Sequence, residues 1–291
     1  MNDGRLKVTF DSNTIEYAIG VKTYGEGTTD PSCCRGLATA FTKLRQAIEE
    51  GRIVPHASEG YFTVEAILKK YRKKAMGKPA RSSSHVSVVS GREVKLSMVF
   101  GPAVYVELPP QFDAVYKRLK ELGGIVLPVN RLDWPVCKTV QELYPKFNAD
   151  RQEFDAYNQK SDEVSRFIED EIGGGLKFVK EQFKKDILSN PIPLHRDNPM
   201  YRELVRDGAT NILFSDNNLS DKKIAKHIAE ISDCDMVSSH VAFGNDVLCT
   251  LDRSKGQGTS GILHADNLSK LEKKYPIRVC SPVELVQLCD W

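Results

Sequence analysis

Short apolar runs alternate with amphipathic helices at both ends of this chain, and that alternation limits the fold more than any other feature. Toward the C-terminus a helical pattern over Asp221–Ile231 precedes a strand pattern over Asp246–Thr250. A helix over Asn267–Tyr275, a strand over Ile277–Cys280 and a helix over Pro282–Cys289 follow. This order predicts a parallel sheet with helices on both faces. The N-terminal section supplies the other half. Leu6–Phe10 reads as a strand, and Leu37, Ala40, Phe41, Leu44 and Ile48 draw one apolar helical stripe that stops at Gly51. Ile53-Val54 reads as a short strand or turn, and Thr63–Lys74 as a second helix.

The middle of the chain changes character. Lys78 to Arg92 is rich in Ser, Lys and Arg and reads as a connector. His85–Val89 and Glu93–Phe100 alternate apolar and polar residues around Ser90-Gly91, which predicts a β-hairpin. Phe112–Leu122 and Asp150–Ile172 read as helices. Gly173-Gly174-Gly175 separates the latter from a further helical period at Leu176, Val179, Phe183 and Ile187. The expected fold is α/β: a three-layer α/β/α arrangement with a mainly parallel central sheet. Residues 1–75 and 206–291 form that core, and a mixed α+β insertion at 76–205 interrupts it.

Composition narrows the setting. The net charge is only +2, so affinity for nucleic acid has to come from local patches. The seven cysteines include no Cys-x-x-Cys pair, which argues against a zinc ribbon and for buried reduced thiols. No apolar signal region opens the chain, and the longest apolar stretch, Met98–Leu108, is too short to span a bilayer. No membrane partner is expected, and a cytoplasmic location is the default.

Two strand patterns far apart in sequence end in aspartate. Leu6–Phe10 runs into Asp11-Ser12-Asn13, and Asp246–Thr250 into Leu251-Asp252. In an open α/β sheet, ligands bind outside the carboxyl ends of the strands. A charge set directly after a buried strand needs a reason, although turn and capping chemistry supplies a plain one. Thr250 shares a side with Asp252 if extended geometry persists, so its hydroxyl is placed to bond the carboxylate. Asp221 opens its helix, where a carboxylate also suits the dipole. Glu59 and Glu65 both offer a fourth acid: Glu65 shares a helix face with Leu68 and is preferred, and Glu59 would lie at a strand end. Carboxylates converging at one sheet edge would attract a hard divalent cation. His227 reads as surface, and His240 as a satisfied structural histidine.

These pieces together resemble the PIN-domain ribonucleases. The pattern is a strand ending in Asp (Phe10-Asp11-Ser12-Asn13), a Ser- and Thr-containing turn leading to a helical Glu (Ser58 to Glu65), an Asp-x-x-Ile-Ala helix start (Asp221 to Ala225) and a strand ending in Thr-x-Asp (Thr250-Leu251-Asp252). The order is the family's, and the match covers about 1–75 and 206–291. The resemblance implies a Mg²⁺- or Mn²⁺-dependent endonuclease acting on RNA, with DNA as the other substrate. Asp11, Asp221 and Asp252 would be the metal ligands, Glu65 or Glu59 would complete the catalytic set, and Asn13 and Thr250 would support it. Many relatives are toxins held by small antitoxins, which makes an antitoxin or regulatory protein, and a homo-oligomer, the expected protein partners.

Lys69, Lys70, Arg72, Lys73 and Lys74 start on the same predicted helix as Glu65, with no acid before Glu93. Such a stripe suits a phosphate backbone, and it equally suits a solvated helix. Asp150 through Glu171 supply an acidic counterpart in the insertion. Two other functions compete. An aspartyl-phosphate phosphatase would use Asp11 as nucleophile, but it wants an acid two residues later, where Asn13 stands. A non-catalytic RNA-binding module would keep the fold without a metal.

Overall fold

The structure, a computed structural model, describes residues 4–25, 31–63, 65, 81–89, 93–101, 107–129, 136–147, 151–173, 221–252 and 261–290, with backbone alone at 31–35, 81–89, 93–101, 151 and 221–227. Five parallel strands make the main sheet: β1 (Leu6–Phe10), β2 (Ile53–Ser58), β5 (Ile125–Leu127), β6 (Val247–Cys249) and β7 (Val279–Cys280). Their spatial order is β5-β2-β1-β6-β7. A separate antiparallel pair, β3 (Arg81–Val89) and β4 (Glu93–Gly101), is the hairpin expected from the alternating pattern.

The helices are α1 (Ser12–Ala18), α2 (Pro31–Glu49), α3 (Glu59–Thr63), α4 (Pro110–Glu121), α5 (Arg151–Phe167, ending in a π-helical turn at Ile168–Ile172), α6 (Asp221–Phe243), α7 (Ala265–Lys274) and α8 (Pro282–Leu288). Helix residues join two buried clusters, and β6 contributes to both by the alternation of a strand. Val247 and Cys249 join a cluster with Ile15, Phe41, Leu44, Val115 and Leu285. Leu248 between them joins a second cluster with Val164, Val237, Leu268 and Leu271. On β1, Val8 and Phe10 enter the first cluster, which turns Lys7 and Thr9 to the α6 side.

Several boundaries differ from the sequence reading. All six residues of β2 are buried, and the strand runs through Pro55. Leu6 N donates to Arg52 O, so by alternation the even positions of β2 bond β1 and Pro55 faces the other neighbour. Pairing with β5 begins only at His56, so no ladder bond is lost there. The insertion expected at 76–205 is not wholly separate: β5 pairs with β2, and α4 buries Phe112, Val115, Tyr116 and Leu119 in the first core cluster. A short helix, α3, runs over Glu59–Thr63, and the helix expected over Thr63–Lys74 lies almost wholly outside the described residues. Residues 66–80 lie outside the described part, and so do Lys69, Lys70, Arg72, Lys73 and Lys74. The helix expected to stop at Ile231 continues to Phe243. Among the described residues no helix is long and apolar enough to cross a membrane.

The strand order sets where function can sit. The chain winds outward from β1 to β2 to β5, then returns to the other side of β1 with β6 and β7. The reversal falls between β1 and β6. The crevice outside their carboxyl ends is the ligand position in doubly wound sheets.

Candidate functional site

Asp11 follows β1 at that reversal and caps α1. Its Oδ1 accepts hydrogens from Ser12 N at 2.6 Å and Ser12 Oγ at 3.2 Å. Its Oδ2 accepts from Thr250 Oγ1 at 2.7 Å. The Thr250 hydroxyl in turn accepts from Asp252 N at 2.9 Å. One threonine side chain therefore connects the two acidic strand ends, through the Asp11 carboxylate and the Asp252 backbone rather than the Asp252 carboxylate. The Thr14 hydroxyl reaches both Asp11 O, at 2.9 Å, and Cys249 O, at 3.1 Å, within the same junction. Asn13 Oδ1 accepts from Leu251 N at 3.1 Å and holds the strand-end turn after β6.

Burial raises the Asp11 carboxyl above its usual range, although the hydrogen bonds from Thr250 and Ser12 pull it down; the charge of Asp252 adds to the rise. The third acid is Asp233, in the middle of α6. Its carboxyl is pushed well above the ordinary value by burial first, then by the charges of Asp11, Glu230, Glu65 and Asp252. Asp233 still keeps partial contact with solvent. Among the described residues no hydrogen-bond donor reaches its carboxyl. Glu230 lies three residues earlier on the same helix face and is buried. Glu65 Oε1 accepts from Ser232 Oγ at 3.1 Å, which brings the loop after α3 against α6.

Four carboxylates from four stretches of chain thus lie within electrostatic range of Asp233. Among the described residues, no three acidic, histidine or cysteine side chains are gathered closely enough to hold one ion. The acids share a field, which acts over longer distances than coordination bonds. The donor chemistry, carboxylate oxygen without histidine or thiolate, is that of a hard divalent cation.

Asp221, expected at this edge as the start of its helix, does open α6. The helix is 23 residues long, and Asp221 stands twelve residues before Asp233, about 18 Å along the axis. α6 passes the strand ends at Asp233, and His240 near its C-terminal end and Asn245 just beyond that end both bond Thr9. The Asp221 side chain lies outside the described ones. Glu59 and Glu65 also separate. Glu59 is buried, and its Oε2 accepts from Val129 N at 3.0 Å. Burial raises its carboxyl, the Tyr144 hydroxyl and Val129 N–H bonds oppose the rise, and the charge of Asp235 adds to it. Glu59 therefore belongs to a neighbouring network with Tyr144 and Asp235, and Glu65 belongs with Asp233.

Asp233 escaped the sequence reading. The signal available was two acids, Glu230 and Asp233, at helical spacing inside a segment whose flanks, Ile228, Ile231, Cys234 and Val237, are apolar. His240 is buried and its Nδ1 pairs with Thr9 Oγ1 at 2.8 Å, but it is not the fully satisfied histidine expected, since its Nε2 meets no partner among the described residues. No protein-family model, curated protein or solved structure matches this chain.

Proposed function

We propose that this chain is a Mg²⁺- or Mn²⁺-dependent endonuclease of PIN-like, three-layer architecture that hydrolyses phosphodiester bonds in RNA. Asp11, Glu65, Asp233 and Asp252 are the metal-facing acids, with Glu230 behind them. The observation that carries this reading is the Asp233 carboxyl: largely buried yet in partial contact with solvent, without a donor among the described residues, and pressed by four other carboxylates. Like charges crowded in this way destabilise a fold, and a divalent cation is the partner that turns the repulsion into binding.

A bound cation supplies charge that lowers the pKa of water and neutralises a leaving oxygen. The protein's own residues prepare for this. Thr250 aims Asp11 Oδ2 and, through its bond from Asp252 N, fixes the turn that carries Asp252. Ser12 occupies Asp11 Oδ1, so the carboxylate is held in one orientation. Ser232 orients Glu65. The aspartyl-phosphate alternative lacks support, because Asn13 fills the position of its second acid and its side-chain oxygen is engaged with Leu251 N.

The test is cleavage of a labelled single-stranded RNA with Mn²⁺, with Mg²⁺ and with chelator. We expect metal-dependent cleavage in the wild type and a loss of at least about 100-fold in Asp11→Asn and Asp252→Asn. Cleavage that survives both substitutions, or a wild type inert with either metal, rules the reading out.

A further inference from the structure

Beneath the sheet, three buried side-chain atoms have no hydrogen-bond partner among the described residues: His56 Nε2, His240 Nε2 and Asn245 Oδ1. The two histidines are 0 % exposed and the asparagine 3 %. Two of these residues bond one hydroxyl, and the third stands on the neighbouring strand. Thr9 Oγ1 lies 2.8 Å from His240 Nδ1 and 2.7 Å from Asn245 Nδ2. His56 stands beside Thr9 as its register partner on β2, and the His240 ring senses the charge of His56. The Phe243 ring, 5.5 Å from that of His56, closes one side.

The partners these groups do have assign their hydrogens. A carbonyl only accepts, so His56 Nδ1 carries the proton and donates to Val54 O across 3.0 Å. His56 Nε2 is then an acceptor. An amide nitrogen only donates, so Asn245 Nδ2 gives its hydrogen to Thr9 Oγ1. Thr9 has one hydroxyl hydrogen of its own, and His240 Nδ1 is the acceptor within reach. His240 is therefore protonated at Nε2, which makes that atom a donor. Asn245 Oδ1 accepts. Burial drives the His56 pKa down to about 4 and that of His240 to about 3, so both rings are neutral at pH 7 and the accounting applies there.

The unmet demand is two acceptors and one donor. A water molecule has two hydrogens to give and lone pairs to receive, and a buried water typically makes about three such bonds. A direct bond between the two Nε2 atoms would satisfy the rings but strand Asn245 Oδ1. A metal ion would need a lone pair on His240 Nε2, where the hydrogen sits.

We propose that one internal water molecule lies between β1, β2 and α6, accepting from His240 Nε2 and donating to His56 Nε2 and Asn245 Oδ1. The bridge pins α6 to two central strands at once. His240 follows Asp233 by two turns, and Thr9 precedes Asp11 by two residues, so the bridge also sets where Asp233 stops beside Asp11. The bridge holds whether or not the acids take a cation.

Long-range ¹H–¹⁵N spectra of the ¹⁵N-histidine-labelled full chain at pH 7 read both tautomers directly. The expected result is His56 protonated at Nδ1 and His240 at Nε2, with a cross-peak from the His240 Nε2 hydrogen to a long-lived water. In Thr9→Val, which keeps the branched shape of the strand residue, His240 should lose its preference for the Nε2 hydrogen. His240 protonated at Nδ1 in the wild type, or an Nε2 hydrogen with no water contact, overturns the proposal. So does a tautomer that Thr9→Val leaves unchanged.

Discussion

At Asp233 the chain keeps a carboxyl where the bare fold would be steadier without one. Its pKa is raised in the folded state by burial and by four like charges. The direction of the consequence follows. A raised carboxyl favours the folded state only while it is protonated, and that contribution is lost as pH rises through the folded pKa. At neutral pH the residue therefore weakens the metal-free protein. Asp233→Asn keeps the shape and removes the charge. We expect it to stabilise the chelated protein by about 1–2 kcal/mol in urea unfolding at pH 7.5, while abolishing the rise in melting temperature that Mn²⁺ gives the wild type. A variant less stable than wild type would contradict the role given to this carboxyl. Asp11 and Asp252 were legible in sequence because a charge directly after an apolar strand is conspicuous. Asp233 was not, because a helix carries acids on any solvated face and only tertiary packing turns this one inward.

α6 shows how much of an element a periodic pattern reveals. Its first half was read from Ile224, Ile228 and Ile231. Its second half was missed because it is buried on most sides and mixes types: Ser232, Asp235, Ser238, Ser239 and His240 are buried alongside Cys234, Met236, Val237 and Val241, which blurs any apolar period. β5 was missed for a different reason. Three residues, Ile125–Leu127, are too few to establish a period. By contrast, β1 and the β3–β4 pair carried clear alternation or apolar runs and were found where expected. The polar underside of α6 predicts acid sensitivity. His240 on α6 and His56 on β2 are held neutral, at about 3 and about 4, mainly by burial. Lys7 lowers the His56 value further and Asp246 raises it. The unfolded chain takes up these protons near pH 6.5 while the folded protein refuses them. Folding stability should therefore fall as pH drops from about 6.5 to about 4, by up to about 1.4 kcal/mol per pH unit for each ring. Asp11, Glu59 and Asp233 act in the opposite direction, since their raised carboxyls take up protons first in the folded state. Urea unfolding across this range, in the Asp233→Asn background to remove the largest opposing group, should show the decline. His240→Gln should flatten it by roughly half, because one of the two rings is gone. A slope that His240→Gln leaves intact would assign the acid sensitivity elsewhere.

For the molecule as a whole, alternation of strand and helix patterns was enough to predict a parallel α/β sheet, but not the order in which its strands lie. That order is a property of the crossovers. It alone puts the reversal between β1 and β6 and so brings Asp11 beside Thr250 and Asp252. The same topology creates a conflict that a nucleic-acid enzyme has to resolve. The chain is close to neutral overall, at +2, yet the edge where substrate would bind gathers Asp11, Glu65, Glu230, Asp233 and Asp252. A phosphate backbone approaching that edge meets repulsion unless a cation is already there. Metal and RNA binding should therefore be coupled, and linkage makes the coupling reciprocal. If the proposed function holds, Glu65→Gln should cleave slowly enough for binding to be measured without turnover. With a fluorescent single-stranded RNA at constant ionic strength, we expect affinity to increase at least about tenfold on adding Mn²⁺, and the midpoint for Mn²⁺ to fall by the same factor when RNA is saturating. Monovalent salt at matched ionic strength should not substitute. Equal RNA affinity with Mn²⁺ and with chelator would mean that the nucleic acid binds away from the acidic edge, and the edge would then have no part in recognising it.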